Sequence, residues 1–392
     1  MSQNCGLKIA DCGFAGISAV TIRNPQSKGA VRPALLLTLV CITVIGAAWM
    51  LMSGVGKTSA EPSSTSTTAA QAKTPAGWQS IGKQGDALGE FQQPRGITCM
   101  ADGSFVVVDR SARVQHFSED GKALNIWSMK EHAMGNPKGL CALPDGNILV
   151  CDTHYGRVLE MTLDGGIVKI WGDPGHEPGH FIHPLSAVAD PQRGVAYIVE
   201  YGFADENQYN DRVQKFKLDG TFVKMWGSNG SEPGQLQRPS GIALDSEGNV
   251  FVADSCNHRI QKFDPDGKLL LMFGEMGTEP GQLRYPYDIA CGAGDLLYVA
   301  EFNNHRVSVF DRDGHFKTSY GGPGDKSGEF HSPWSLTVDK RNRLLVSDTG
   351  NYRVQILDLN DRSEGPEARG QEKPLQALTP HPSPLPTVRE RS

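Results

Sequence analysis

An arginine recurs along this chain as Arg113, Arg157, Arg212, Arg259, Arg306 and Arg353, and the last three intervals are each 47 residues. An acid stands before every one of them, as Asp109, Asp152, Glu200, Asp254, Glu301 and Asp348, and a proline heads every copy, as Pro94, Pro137, Pro184, Pro239, Pro286 and Pro333. The copy from Pro239 to Gly274 holds four short apolar alternations: Ile242 and Leu244, Val250 to Ala253, Arg259 to Phe263, and Leu269 to Phe273. Ser246-Glu247-Gly248-Asn249 and Pro265-Asp266-Gly267 divide them with residues that tolerate tight-turn angles. Period-2 alternation over such lengths predicts strands, labelled a to d in each copy. A four-stranded sheet alone cannot bury both of its faces, so six copies must stack radially. The fold class is therefore all-β: a six-bladed β-propeller of four-stranded antiparallel blades.

Copy six has no strand d, because the chain turns polar after Gln355, Ile356 and Leu357. The segment Gly77-Trp78-Gln79-Ser80-Ile81-Gly82 carries the strand-d pattern at the other end, so an N-terminal strand should close the ring and remove its open edge. The propeller then occupies 77–360, and the Pro-, Glu- and Arg-rich tail 361–392 is expected to be disordered.

Residues 34–52, ALLLTLVCITVIGAAWMLM, run 19 residues without a charge, the length of a transmembrane helix. Lys8, Arg23, Lys28 and Arg32 precede this span and only Lys57 and Lys73 follow it in the spacer, which predicts a cytoplasmic segment 1–33 and an extracytoplasmic propeller. Thr58-Ser59-Ala60 also fits a small-residue cleavage site, but the long leader favours retention of the span as a signal anchor. The Ser/Thr/Pro-rich stretch 53–76 reads as a flexible spacer. Five of the eight cysteines fall in the propeller (Cys99, Cys141, Cys151, Cys256 and Cys291), mostly at apolar strand positions and without zinc-ligand spacing.

The pattern acid-x-x-Asn-x-Arg, present as Asp254/Asn257/Arg259, Glu301/Asn304/Arg306 and Asp348/Asn351/Arg353, resembles the NHL repeat over residues 77 to 358. Blades one and two depart from it, with Ser111 and Tyr155 at the Asn position. The resemblance implies the six-bladed ring and leaves function open, since one fold hosts many activities. The acid and arginine of each copy read as a structural pair that holds a turn.

Three function classes follow. NHL propellers resemble peptidyl-hydroxyglycine amidating lyases, in which a metal-binding histidine follows the blade-opening proline. Here that position holds Arg95, Lys138, Leu185, Ser240, Tyr287 and Trp334, and no motif of the related lactonase propellers is present either. No metal or other cofactor is therefore expected. RNA binding, known in other NHL proteins, suits this ring poorly, because residues 77–360 carry 27 Lys and Arg against 37 Asp and Glu, a net charge of −10. No nucleic-acid partner is expected.

The third class is a membrane-tethered, non-enzymatic platform for a protein, peptide or glycan. Its candidate contacts lie on the rim formed by the d-to-a and b-to-c loops: Arg95, Lys138, Tyr287, Asp288 and Trp334 at the blade starts. Tyr201, Phe203 and Tyr209 join them in blade three, whose acid-to-arginine spacing is 12 residues where blades four to six use 5. Asp288 stands where blades one, two and four have Gly96, Gly139 and Gly241, and so adds an acid near the channel mouth.

Overall fold

The computed structural model describes residues 77–360, apart from 132, 134, 135, 206 and 207; for 203–205 and 208 it describes the backbone only. The expected anchor at 34–52, its flanking segments and the tail lie outside these residues. No helix among the described residues is long and apolar enough to cross a membrane.

Six four-stranded antiparallel sheets form. Blade four is the pattern copy, with strands at Pro239–Leu244, Val250–Asp254, Arg259–Phe263 and Leu269–Phe273. Blade six takes Leu336–Val338, Arg343–Asp348 and Arg353–Asp358 from the end of the ring and Gln79–Ile81 from its beginning. Gln79 pairs with Ile356 and Ile81 with Val354, antiparallel, so the N-terminal strand closes the ring as expected. Trp78 extends the closure by setting its ring edge-on to Phe330, with centroids 5.4 Å apart.

Alternation along the strands sends side chains to both faces of each blade, and hydrophobic clusters fill the gaps between neighbours. Val106 and Val108 of blade one meet Ile148 and Val150 of blade two, while Phe105 and Val107, one residue out of phase, meet Leu345 and Ile356 of blade six. The loops entering five blades each contribute a fully buried plug: Phe91, Phe181, Leu236, Leu283 and Phe330. Sequence alone places these only as loop residues.

Strand a of every blade faces the axis, where Ile97, Leu140, Ala187, Ile242, Ile289 and Leu336 help line a central cavity of about 320 Å³. Blades crowd most closely there. A Cβ on Gly139 would lie 2.1 Å from the carbonyl oxygen of Leu185, and one on Gly241 would lie 2.5 Å from the Cα of Asp288. The missing side chain is therefore a packing requirement between blades. Gly139→Ala should cost about 1–3 kcal/mol through overpacking, read as a lower midpoint in denaturant unfolding. An unchanged midpoint would show that the blades can separate slightly without penalty.

A candidate ligand-binding mouth

The b-to-c hairpins bring each acid onto its arginine. All six pairs form, at 2.5 to 2.9 Å, and the six acids are at most 1% exposed. In blade four Asp254 accepts from Arg259 Nε at 2.7 Å, from the Gln237 amide at 2.7 Å and from Asn257 Nδ2 at 2.9 Å. Arg259 then donates to the carbonyls of Ser231, Glu232 and Gln235, and so holds the loop that enters its own blade. Arg306 and Arg353 repeat this on Thr278, Glu279 and Gln282, and on Asp325, Lys326 and Glu329. These pairs neutralise each other within their blades and hold the rim in shape.

The network has members that sequence reading missed. Gln261 donates to both Gln235 and Asp254, and Gln355 does the same toward Glu329 and Asp348. His258 and His305 sit just before their arginines at φ of 56° and 53°. Each accepts an amide from the loop into the next blade, Tyr285 N at 3.1 Å and Ser332 N at 2.9 Å. The signal was present as a repeated Asn-His-Arg, at 257–259 and 304–306.

The blade starts meet at one mouth of the channel. The Arg95 guanidinium lies over the Trp334 ring, 4.8 Å from its centroid. Lys138 Nζ lies between two rings, 6.0 Å from Trp334 and 5.7 Å from Tyr201. Arg238, which sequence reading did not select, lies 5.4 Å from Tyr201 and 5.8 Å from Tyr287. It precedes the proline of blade four with φ of 52°, as Gln93, Tyr285 and Ser332 precede theirs in the same left-handed conformation. Tyr287 and Trp334 then touch edge to face at 4.9 Å, and Phe302 stacks on Tyr287 at 4.5 Å.

The expected site residues therefore divide. Arg95, Lys138, Tyr201, Tyr287 and Trp334 converge on the mouth. Tyr201 belongs to the end of strand b of blade three (Val195–Tyr201) and stacks on His183 at 5.2 Å. The extra residues after it form a small hairpin, Phe203–Asp205 on Gln208–Tyr209, in which Tyr209 is exposed. Tyr287 is only 4% exposed, held between Phe302 and Trp334, whereas Trp334 is partly exposed.

Asp288 is buried. It accepts from Ser335 Oγ at 2.5 Å and from the Leu336 amide at 3.1 Å, which ties blade five to blade six. Burial pushes its carboxyl up to about 7, against the lowering effect of those two donors. Two imidazoles, His154 and His183, lie nearby with centroids 5.9 Å apart. Burial first, then the charge of Lys138, brings both down to about 4, so both are neutral at physiological pH.

The NHL repeat model matches residues 236–263, 283–310 and 330–357. With the six-bladed architecture, these matches place the chain in the NHL-repeat β-propeller family. It is 30% identical to human NHL repeat-containing protein 3 over 158 residues, 37% of this chain and 43% of the relative. It is 29% identical to rat peptidylglycine alpha-amidating monooxygenase over 161 residues, 39% of this chain and 15% of the relative. The chain thus spans less than half the length of these relatives. A streptogramin B lyase structure shares the fold with a TM-score of 0.51 at 14% identity, over 74% of this chain and all of that one.

Proposed function

We propose that the ring is a non-enzymatic binding platform, held on the extracytoplasmic side of a membrane by residues 34–52, that captures a protein, peptide or glycan at the channel mouth. One observation carries this reading. Basic and aromatic side chains from blades one, two, three, five and six, with Arg238 at the entrance to blade four, gather where the repeat needs none of them. Aromatic and arginine groups supply most of the energy at binding surfaces.

The test is a membrane-impermeant crosslinker applied to intact cells whose outer layer has been permeabilised, followed by affinity measurements on the captured partner. Crosslinks to the ring before lysis are the expected result, and protection until the inner membrane is broken would reverse the orientation. Trp334→Ala is the informative substitution, because alanine at the buried Tyr287 would disturb packing as well. It should weaken capture by about 2 kcal/mol with little change in melting temperature. The same partners held at unchanged affinity would remove the mouth from the interface.

An enzymatic reading is favoured by one feature, the neutral pair His154 and His183 at the mouth, and the amidating monooxygenase is among the relatives. Catalytic zinc sites take three protein ligands, and no cluster of three His, Cys, Asp or Glu able to hold a metal occurs among the described residues. Adding zinc should leave the melting temperature unchanged, and a rise at micromolar metal would revive this reading.

A further inference from the structure

We infer that His258 and His305 are proton-sensitive latches on the mouth: neutral, each holds the start of the next blade in place, and protonated in mild acid it lets that start go. The geometry fixes which protonation state works. A backbone amide can only donate, so the Nδ1 atoms that accept from Tyr285 at 3.1 Å and from Ser332 at 2.9 Å carry lone pairs, and the ring protons sit on Nε2. An imidazolium has no lone pair to offer either amide. What the latches hold is strained backbone, since Tyr285 and Ser332 precede prolines at φ of 52° and 54°. The Tyr285 carbonyl accepts from the Phe302 amide of its own blade, and its amide donates across to blade four. Two residues beyond Tyr285 and Ser332 stand Tyr287 and Trp334. The loops held by the imidazoles are thus those that set these two aromatics against each other at 4.9 Å.

The device is confined to two junctions. The same position, just before the strand-c arginine, holds Ala112, Gly156 and Tyr352 in blades one, two and six. In blade three it holds Asp211, which accepts the Arg238 amide at the entrance to blade four. A carboxyl accepts whether ionised or neutral, so that junction keeps its tie through the pH range in which an imidazole loses it. The surroundings set the direction of titration. Burial, then the charge of Arg284, lowers the proton affinity of His258, whose ring also meets Tyr285 edge to face at 4.5 Å. Burial, then His331, lowers that of His305, with Asp348 pulling against them and Arg284 adding to them. An opened loop lets both rings titrate near their ordinary 6.5, so it takes up protons first as pH falls. The latches are therefore closed above 6.5 and weaken below it. His154 and His183, brought down to about 4, stay neutral through this window. As control over the mouth's ligand the device rests on the platform reading; as a motion of the ring it does not.

Amide hydrogen exchange of the full chain at pH 7.5 and pH 5.5, with labelling times scaled for the pH dependence of chemical exchange, reads the latches through peptides spanning 283–288 and 330–336. Protection there should fall by up to about tenfold at pH 5.5, one unit below the ordinary imidazole value, while a peptide spanning 236–241 at the Asp211 junction keeps its protection. A change under about twofold at both latches overturns the inference, and so does equal loss in all three peptides, which would mean a general loosening of the ring. His258→Asn and His305→Asn give each junction an oxygen that does not titrate, on a residue that tolerates the left-handed backbone of these positions. Each single variant should abolish the pH response of its own peptide alone. A response that persists in both variants overturns the assignment to the imidazoles, and the native chain decides the matter where a variant fails to fold. If the peptides respond while Trp334→Ala captures its partners unchanged, the latches stand and the platform at the mouth falls. If they are silent, the latches fall and the crosslinking experiment still decides the platform.

Discussion

Asp254→Ala should destabilise the ring by about 3–5 kcal/mol, the scale expected when one partner of a buried ion pair is removed. Asp254 is fully buried and accepts from Arg259, Asn257, Gln261 and the Gln237 amide. Alanine leaves four donors without their acceptor and a guanidinium without its counter-charge. The entering loop also loosens, because Arg259 can no longer be held in position to bind Ser231, Glu232 and Gln235. Denaturant unfolding of the two proteins measures the difference. Asp254→Asn, which keeps one acceptor oxygen, should lose less. A loss under about 1 kcal/mol for the alanine variant would mean that water replaces the carboxylate and that the repeat's signature pair does not hold the hairpin.

That network shows what the sequence made legible. The acids and arginines stand at fixed spacing on one hairpin, so local pattern was enough to pair them, and the 47-residue period gave the blades and the closing strand. What escaped depends on loops and blades that meet only once the chain has folded. Gln261 sits two residues beyond Arg259 and looks like an ordinary strand residue until the loop from Ser231 to Gln235 folds over it. Arg238 gave no signal, because its place at the mouth follows from a left-handed backbone just ahead of Pro239, a conformation that residues preceding proline seldom adopt. Tyr287 and Asp288 were legible as departures from the repeat. Their burial was not, because it is set by Trp334, Ser335 and Leu336 of the next blade.

The contribution of Asp288 to the stability of the ring should fall as pH rises from about 4 to about 7, and Asp288→Asn should remove that contribution. In the unfolded chain the Asp288 carboxyl titrates near its ordinary value of 3.8, whereas burial in the ring pushes it up to about 7. Between those values the folded protein holds a proton that the unfolded chain has released. The contribution is therefore fully present below pH 4, declines with rising pH, and is gone above pH 7. Above neutrality the buried carboxylate carries a charge with Ser335 Oγ and two backbone amides as its donors. Asparagine keeps an oxygen for Ser335 and Leu336 and carries no charge. At pH 8 the variant should be more stable than the native chain by up to on the order of 4 kcal/mol, and below pH 4 the two should converge. Melting curves of both proteins from pH 4 to 9 supply the comparison, since every other titrating group is common to both and cancels in the difference. Parallel curves across that range would show that Asp288 is ionised throughout, and the tie between blades five and six would then be made by a carboxylate and its donors rather than by a carboxylic acid.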